Sequence, residues 1–390
     1  MTTRGGATAA TGEVIDADFR TTEGVLALVN LEAQIDGQGR QAAAGELDVS
    51  GQAEFIELVA LRGHVLGCIA DYEWAEELAE QLTRDAPADG VAFLARSRAR
   101  ATFHRFTDAL TDLDKAKRLG ADPAVVDVER AAIFQAIGRY DEALAFRQEA
   151  ATRREDFETL GALAGLYAER GEITAAERFF SKSRDRYRGV SPFPLALLDF
   201  RHALMWLAQG DLHRARTWLG AAHCRLPAYA PAQGHLAEVE AALGDTDSAI
   251  ARLRPLTISS DDPDYAAQLA RILSEIGRVE EAHGWRAQAA ARYDELVARH
   301  LEAFADHAAE FYLNTGGDLG RACTLARINL ANRQTLRAFE LAYSSAVASG
   351  DERYASDLSV EARTRWGQTK AFSHSPIAEA NSRKPQRRSQ

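Results

Sequence analysis

Few residues in this sequence stand at spacings that chemistry uses. His64 and Cys68 lie four apart, which on a helix sets two soft donors on one face, half of a metal site. No partner pair stands nearby, so a packed histidine and a buried thiol is the simpler reading. His223 and Cys224 are adjacent, and adjacent helical side chains diverge by about 100°. His300 and His307 are two turns apart and suit ordinary surface or groove positions. Gly316-Gly317-Asp318-Leu319-Gly320 is glycine-rich, but a dinucleotide cradle needs a preceding strand, and none is apparent. The P-loop, HExxH and CxxC patterns are absent. Glu76-Glu77 and Glu280-Glu281 read as solvated faces, and Trp74, Trp206, Trp218 and Trp285 as core. No catalytic residue, metal or cofactor is expected.

Composition narrows the classes further. The 390 residues are 46% hydrophobic and 26% charged, with a net charge of −11. One compact core of this length would be oversized, since single cores stop growing near ~250–300 residues. A solenoid escapes that limit because each unit packs only on its neighbours. Residues 1–50 carry three Arg against eight Asp or Glu, whereas residues 370–390 carry five Lys or Arg against one Glu. An acidic body argues against wrapping nucleic acid, so no nucleic-acid partner is expected. The basic end (Arg383, Lys384, Arg387, Arg388) reads as a solubilising tail. Arg outnumbers Lys 41 to 5, which reads as genomic base composition. Three widely spaced cysteines make no disulfide framework. The opening MTTRGGATAATGEV lacks the apolar stretch of a signal peptide, and no run approaches the ~18 apolar residues of a membrane span. A cytoplasmic protein is expected.

The elements that position these residues emerge from an internal repeat. Ile137-Gly138-Arg139-Tyr140-Asp141-Glu142-Ala143-Leu144 is its clearest copy. Gly171, Gly210, Gly244, Gly277, Gly317 and Gly350 repeat the anchor glycine, and Ala70 and His104 stand in its place in two earlier copies. The nine anchors are separated by 34, 34, 33, 39, 34, 33, 40 and 33 residues, and each is followed five residues later by alanine. The glycine can take φ > 0 and turn the chain between two helices. Asp211, Asp245, Asp318 and Asp351 then stand where a second helix needs a cap. The alanine lets the two helices approach. A bulky residue two after most anchors (Tyr72, Phe106, Tyr140, Ile173, Leu212, Val279, Leu319) wedges between them. Phe157, Leu160, Leu163, Ala164 and Tyr167 show the helical period of the first helix. Prolines mark the joints between units, and Pro255 is expected to shorten its helix. The extra length near 292–307 lacks Gly and Pro and predicts longer helices.

These features resemble the tetratricopeptide-repeat family. Gly138-Arg139-Tyr140-Asp141-Glu142-Ala143 is close to its consensus, and Gly63, Ala131, Ala164, Ala203, Ala237 and Ala270 fill its small-residue slot. The resemblance covers residues 51–366 and implies an all-α, right-handed α-solenoid of about nine helix-turn-helix units. Residues 1–50 form an N-terminal arm, disordered at first, and residues 367–390 a disordered basic tail. The ninth unit, with Glu352 at the wedge position, is expected to be a polar cap.

The resemblance also implies a concave groove, lined by the first helices, that binds a protein or peptide. Its lining positions here are His64, Arg98, Glu129, Arg201, His235, Arg271, His307, Phe311 and Asn314, together with Glu169, Glu238 and Glu275. The family's lysine–asparagine carboxylate clamp is not carried over, because lysine is nearly absent. The leading expectation is a non-enzymatic interaction scaffold. The alternatives are a peptide- or metabolite-responsive regulator and, more remotely, a metal-binding or enzymatic accessory protein. The acidic segment 13–36 is a candidate to pack on the array or occupy the groove.

Overall fold

The computed structural model describes residues 21–373 and 375–382. Its described residues form helices joined by short turns. Helix α1 (Gly24–Ala43) precedes nine antiparallel pairs. Units 1 to 3 are α2 (Val49–Leu66) with α3 (Ile69–Asp85), α4 (Gly90–Thr102) with α5 (Phe106–Arg118), and α6 (Pro123–Ala136) with α7 (Tyr140–Arg153). Units 4 to 6 are α8 (Phe157–Glu169) with α9 (Ile173–Arg186), α10 (Phe193–Ala208) with α11 (Leu212–Arg225), and α12 (Ala230–Ala242) with α13 (Thr246–Ser259). Units 7 to 9 are α14 (Pro263–Glu275) with α15 (Val279–Arg299), α16 (Leu301–Leu313) with α17 (Leu319–Asn332), and α18 (Leu336–Ala348) with α19 (Glu352–Trp366). Two short helices follow, α20 (Lys370–Ser373) and α21 (Pro376–Ser382).

The repeat alanines explain the hairpins. All nine, from Ala75 to Ala355, are buried. The facing small slot is filled by Gly63, Ala131, Ala164, Ala203, Ala237 and Ala270, also buried. A side chain added at Gly63 would meet the backbone of Cys68 at 3.0 Å. The anchor glycines from Gly138 to Gly350 hold φ between 70° and 90°. His104 adopts φ 56° without being glycine, a conformation costing an L-residue roughly 1 kcal/mol. In unit 1 the left-handed residue is Gly67 (φ 62°), three residues ahead of Ala70, so α3 begins nearly one turn early.

The array coils until its second turn touches its first. The turn inside unit 1 meets the loop between units 6 and 7, where the Ser260 hydroxyl donates to the Gly67 carbonyl. Asp261 accepts from the amides of Ile69 and Ala70 at 2.5 and 3.1 Å. The turn of unit 2 meets the next loop, with His104 Nδ1 3.1 Å from the Glu302 carbonyl. The turn of unit 3 meets the one after, where Arg333 donates to the Ala136 carbonyl and the Gln334 amide to that of Ile137. Unit 4 ends the series, with Gly171 against Ala371. The hydrogen-bonded partners named here lie 191 to 198 residues apart.

Helix capping follows this seam in part: α15 of unit 7, with Arg278 at its N-cap, also has no side-chain cap. The second helices of the first four units begin at Cys68, Arg105, Arg139 and Glu172, none of which caps with its side chain. Asp211, Asp245, Asp318 and Asp351 accept from the amide three residues on, as expected from the sequence. Helix α3 receives its cap from Asp261, 192 residues away.

Several expectations need correction. Pro255 lies inside α13, which keeps 14 residues. Residues 370–382, assigned to a disordered tail, form α20 and α21, because Phe372 and Ile377 bury themselves against the last unit. Unit 9 is therefore not a polar cap: Leu358, Ala362 and Trp366 are buried with them. The part of the arm from Gly24 onward does not fill the groove. Its buried stripe, Ala27, Leu31 and Ile35, lies on the edge beside α2, and Gly24 abuts Arg225 and Leu226. Residues 1–20 and 383–390 lie outside the described residues. The extra length near residue 292 is helical, giving α15 its 21 residues.

Replacing a cap tests the seam. Asp261→Ala and Asp211→Ala should each cost about 1 kcal/mol in stability, read by chemical unfolding. Only Asp261→Ala should speed hydrogen exchange at Ile69 and Ala70, and equal exchange in both variants would refute capping across the turn. Ala215→Leu, at a position with no exposed surface, should cost roughly 1–3 kcal/mol by overpacking.

Candidate functional site

Closure converts the expected open groove into a bore. The first helices line it, and charges on separated units sense one another across it. Arg201 of unit 5 acts on His64 of unit 1, Glu238 of unit 6 is drawn by Arg337 of unit 9, and Glu169 of unit 4 by Arg333. Glu169, Arg201, Glu238 and His307 remain solvent-exposed. Even so, surrounding protein pushes the Glu169 carboxyl up. The wall is wet but crowded.

The expected lining residues have the following surroundings. Arg98 of α4 pairs with Glu57 and, at 2.7 Å, with Glu129 of α6. Arg271 pairs with Glu275 on α14 at 2.9 Å, and His235 Nδ1 lies 3.0 Å from Glu238. His307 is raised in pKa, chiefly by neighbouring Asp306. His64 does not face a metal partner: its Nε2 lies 2.9 Å from the Tyr229 hydroxyl across the seam. Burial, then Arg201, lowers its pKa to about 4.

The last two expected residues differ in exposure, Phe311 being withdrawn from the surface and Asn314 not. Phe311 is buried, packed against Tyr293 at 5.1 Å and Tyr312 at 5.0 Å, because its position on α16 faces the hairpin core. Asn314 stands at the end of α16 and donates its amide to the Glu310 carbonyl at 3.0 Å. Sequence spacing missed Arg147, Asp306, Arg333 and Arg337. Arg147 belongs to a second helix, whereas the repeat pattern assigns groove positions to first helices, and it donates to Gln135 at 2.7 Å. Arg333 holds Asp306 at 3.1 Å beside the seam.

Two openings adjoin this wall. A cavity of about 340 Å³ lies between α2, α3 and α4, with Ile56, Leu61 and Ala95 among its walls and His64, Arg98 and Tyr72 at its polar side. A wider cleft of about 980 Å³ separates the turns where the seam thins, between Gly138–Gln334 and Gly171–Ala371. Tyr140 and Glu169 belong to its lining, so it reaches the bore from the side.

The tetratricopeptide-repeat family pattern matches residues 207–272. The chain has the fold of a tetratricopeptide-repeat α-solenoid. No curated protein sequence matches it. Among solved structures it is similar to the human IFIT1 dimer with PPP-AAAA, at 16% identity, covering 81% of this chain and 72% of that one with a TM-score of 0.52. A monomeric IFIT1 variant with m7Gppp-AAAA gives 15% identity, 86% and 76% coverage and a TM-score of 0.50. The APC/C hetero-tetramer Cut9–Hcn1 gives 14% identity, 90% and 73% coverage and a TM-score of 0.46. The likeness corrects one expectation. The acidic net charge does not exclude nucleic acid, because IFIT1, solved with PPP-AAAA and with m7Gppp-AAAA, has a similar fold. Whole-chain charge does not govern an enclosed wall, whose local charges decide. Among the described residues, no helix is long and apolar enough to cross a membrane.

The histidine at the seam makes a test of this electrostatic picture. His64 has its pKa near 4 in the folded chain, against an ordinary value of 6.5. Between these values the unfolded chain binds the extra proton, so this residue's contribution falls as pH drops from 6.5 toward 4. Asp262, raised to about 6, contributes with the opposite sign. His64→Gln should therefore lose less stability than the native chain between pH 6.5 and 4.5, measured by urea unfolding. An identical acid limb in both would contradict the assignment.

Proposed function

We propose that this chain is a non-enzymatic scaffold that holds a polypeptide segment in its bore. The observation that carries this reading is the wall itself: solvent-exposed charges of both signs, close enough across the lumen to sense one another. Such a passage suits one extended or helical chain, gripped by paired charges along its length and by apolar side chains in pockets such as the one beside Leu61. The mixed wall, with Arg98, Arg271 and Arg333 each matched by a carboxylate, favours a ligand of mixed charge. The side cleft offers such a segment an entry that leaves the dense part of the seam closed. A cytoplasmic setting belongs to the same proposal.

A second reading, RNA in the bore, is supported by the likeness to IFIT1 solved with PPP-AAAA. Selection from a displayed random-peptide library on the full chain, run beside direct binding of PPP-AAAA, separates the two. The scaffold reading expects enriched peptides whose affinity falls about tenfold in Arg271→Glu. Retention of the oligonucleotide with no peptide enriched would replace the scaffold reading by the RNA one.

A further inference from the structure

The charges of the bore are matched almost everywhere, and the exception is informative. Arg98 has Glu129, Arg271 has Glu275 and Arg333 has Asp306. Arg201 projects from α10 with its side chain exposed and, among the described residues, makes no ion pair or hydrogen bond. Arg147 reaches in from α7. One of its terminal nitrogens donates to Gln135 at 2.7 Å, but its Nε is buried with no partner. An orphaned buried donor on a guanidinium is costly, so such groups are normally satisfied. The two guanidiniums lie close enough that Arg201, after burial, helps lower the Arg147 pKa to about 10.

We infer that Arg147 and Arg201 form a subsite that takes one carboxylate of a polypeptide held in the bore, an inference that rests on the scaffold reading above. Charge counting selects the ligand. The neighbouring Glu129 is bound to Arg98, which leaves Glu169, itself hydrogen-bonded to Gln135, as the nearby carboxylate without an arginine ion pair. Two cations against one anion leave a surplus of one positive charge. One carboxylate neutralises that surplus and matches the guanidinium fork with two oxygens. A terminal phosphate, carrying close to two charges at neutral pH, overcompensates it. His64 and Tyr229, in contact with each other at 2.9 Å, also feel the Arg201 charge. Gln135 stands between Arg147 and Glu169, accepting from the guanidinium and donating to the carboxylate.

The test uses the full chain and simple probes. Arginine Nε–Hε resonances of Arg147 are followed by NMR during titration with acetate, with acetamide and with inorganic phosphate. Acetate should shift the Arg147 signal in a saturable way while acetamide does not. Arg201→Gln, a change at an exposed position, should weaken the acetate response roughly tenfold or more. No saturable acetate shift, an undiminished response in Arg201→Gln, or stronger binding of phosphate than of acetate would each overturn the carboxylate assignment. Peptide selection distinguishes failure here from failure of the scaffold itself. If the subsite is right, peptides enriched on the native chain carry an Asp or Glu that Arg201→Gln no longer selects. Peptides enriched equally on both, without that acidic residue, would discard the subsite and keep the scaffold.

Discussion

Everything else in this molecule depends on the contact between the first superhelical turn and the second. A solenoid needs only neighbour-to-neighbour packing to be stable, and its repeats here supply that through buried alanines and small facing residues. The seam adds non-local contacts on top of a local architecture. They are mostly polar and mostly to backbone: Ser260 to Gly67, Asp261 to Ile69 and Ala70, Arg333 to Ala136. Backbone groups at the tight turns inside each unit are the natural target, because a helix start leaves amides that its own residues cannot satisfy. The loops of the later units supply oxygen and guanidinium groups to those turns.

The distribution of caps is the trace of that arrangement in the sequence. Asp211, Asp245, Asp318 and Asp351 cap the second helices of units 5, 6, 8 and 9, whereas the first four units and unit 7 lack such residues. The aspartates were visible as a repeat feature. Their absence earlier was equally visible, but it acquires meaning only once a distant Asp261 is seen at α3. His104 tells the same story from the backbone side. A histidine held at positive φ is tolerated where its ring and carbonyl are both engaged across the seam, by Glu302 and Asn332.

This marks the boundary of what periodicity reveals. The anchor spacing specifies each hairpin, and so the nine pairs and the long α15 could be read directly. Periodicity places Phe311 on the first helix of its unit but does not separate its inward face from the hairpin core, where the ring belongs with Tyr293 and Tyr312. It also assigns inner positions to first helices alone, which is why Arg147 escaped. Composition misled at the C-terminal end, where a basic stretch concealed Phe372 and Ile377, two apolar residues sufficient to dock α20 and α21. In each case the deciding contact is tertiary, and local pattern carries no information about it.

Closure also changes the electrostatics that a ligand would meet. On an open concave face, water screens charges on different units, and each ion pair contributes little. Inside the bore, opposite walls lie within reach, and screening by solvent is reduced although the side chains stay accessible. A matched pair such as Arg98–Glu129 then becomes a fixed, neutral part of the wall. An unmatched residue such as Arg201 gains influence, reaching His64, Arg147, Glu169 and Tyr229 at once. The net charge of −11 is therefore the wrong scale on which to judge partners. The quantity that discriminates among them is the charge left over after the bore's own pairs are formed, and the seam is what makes that remainder felt.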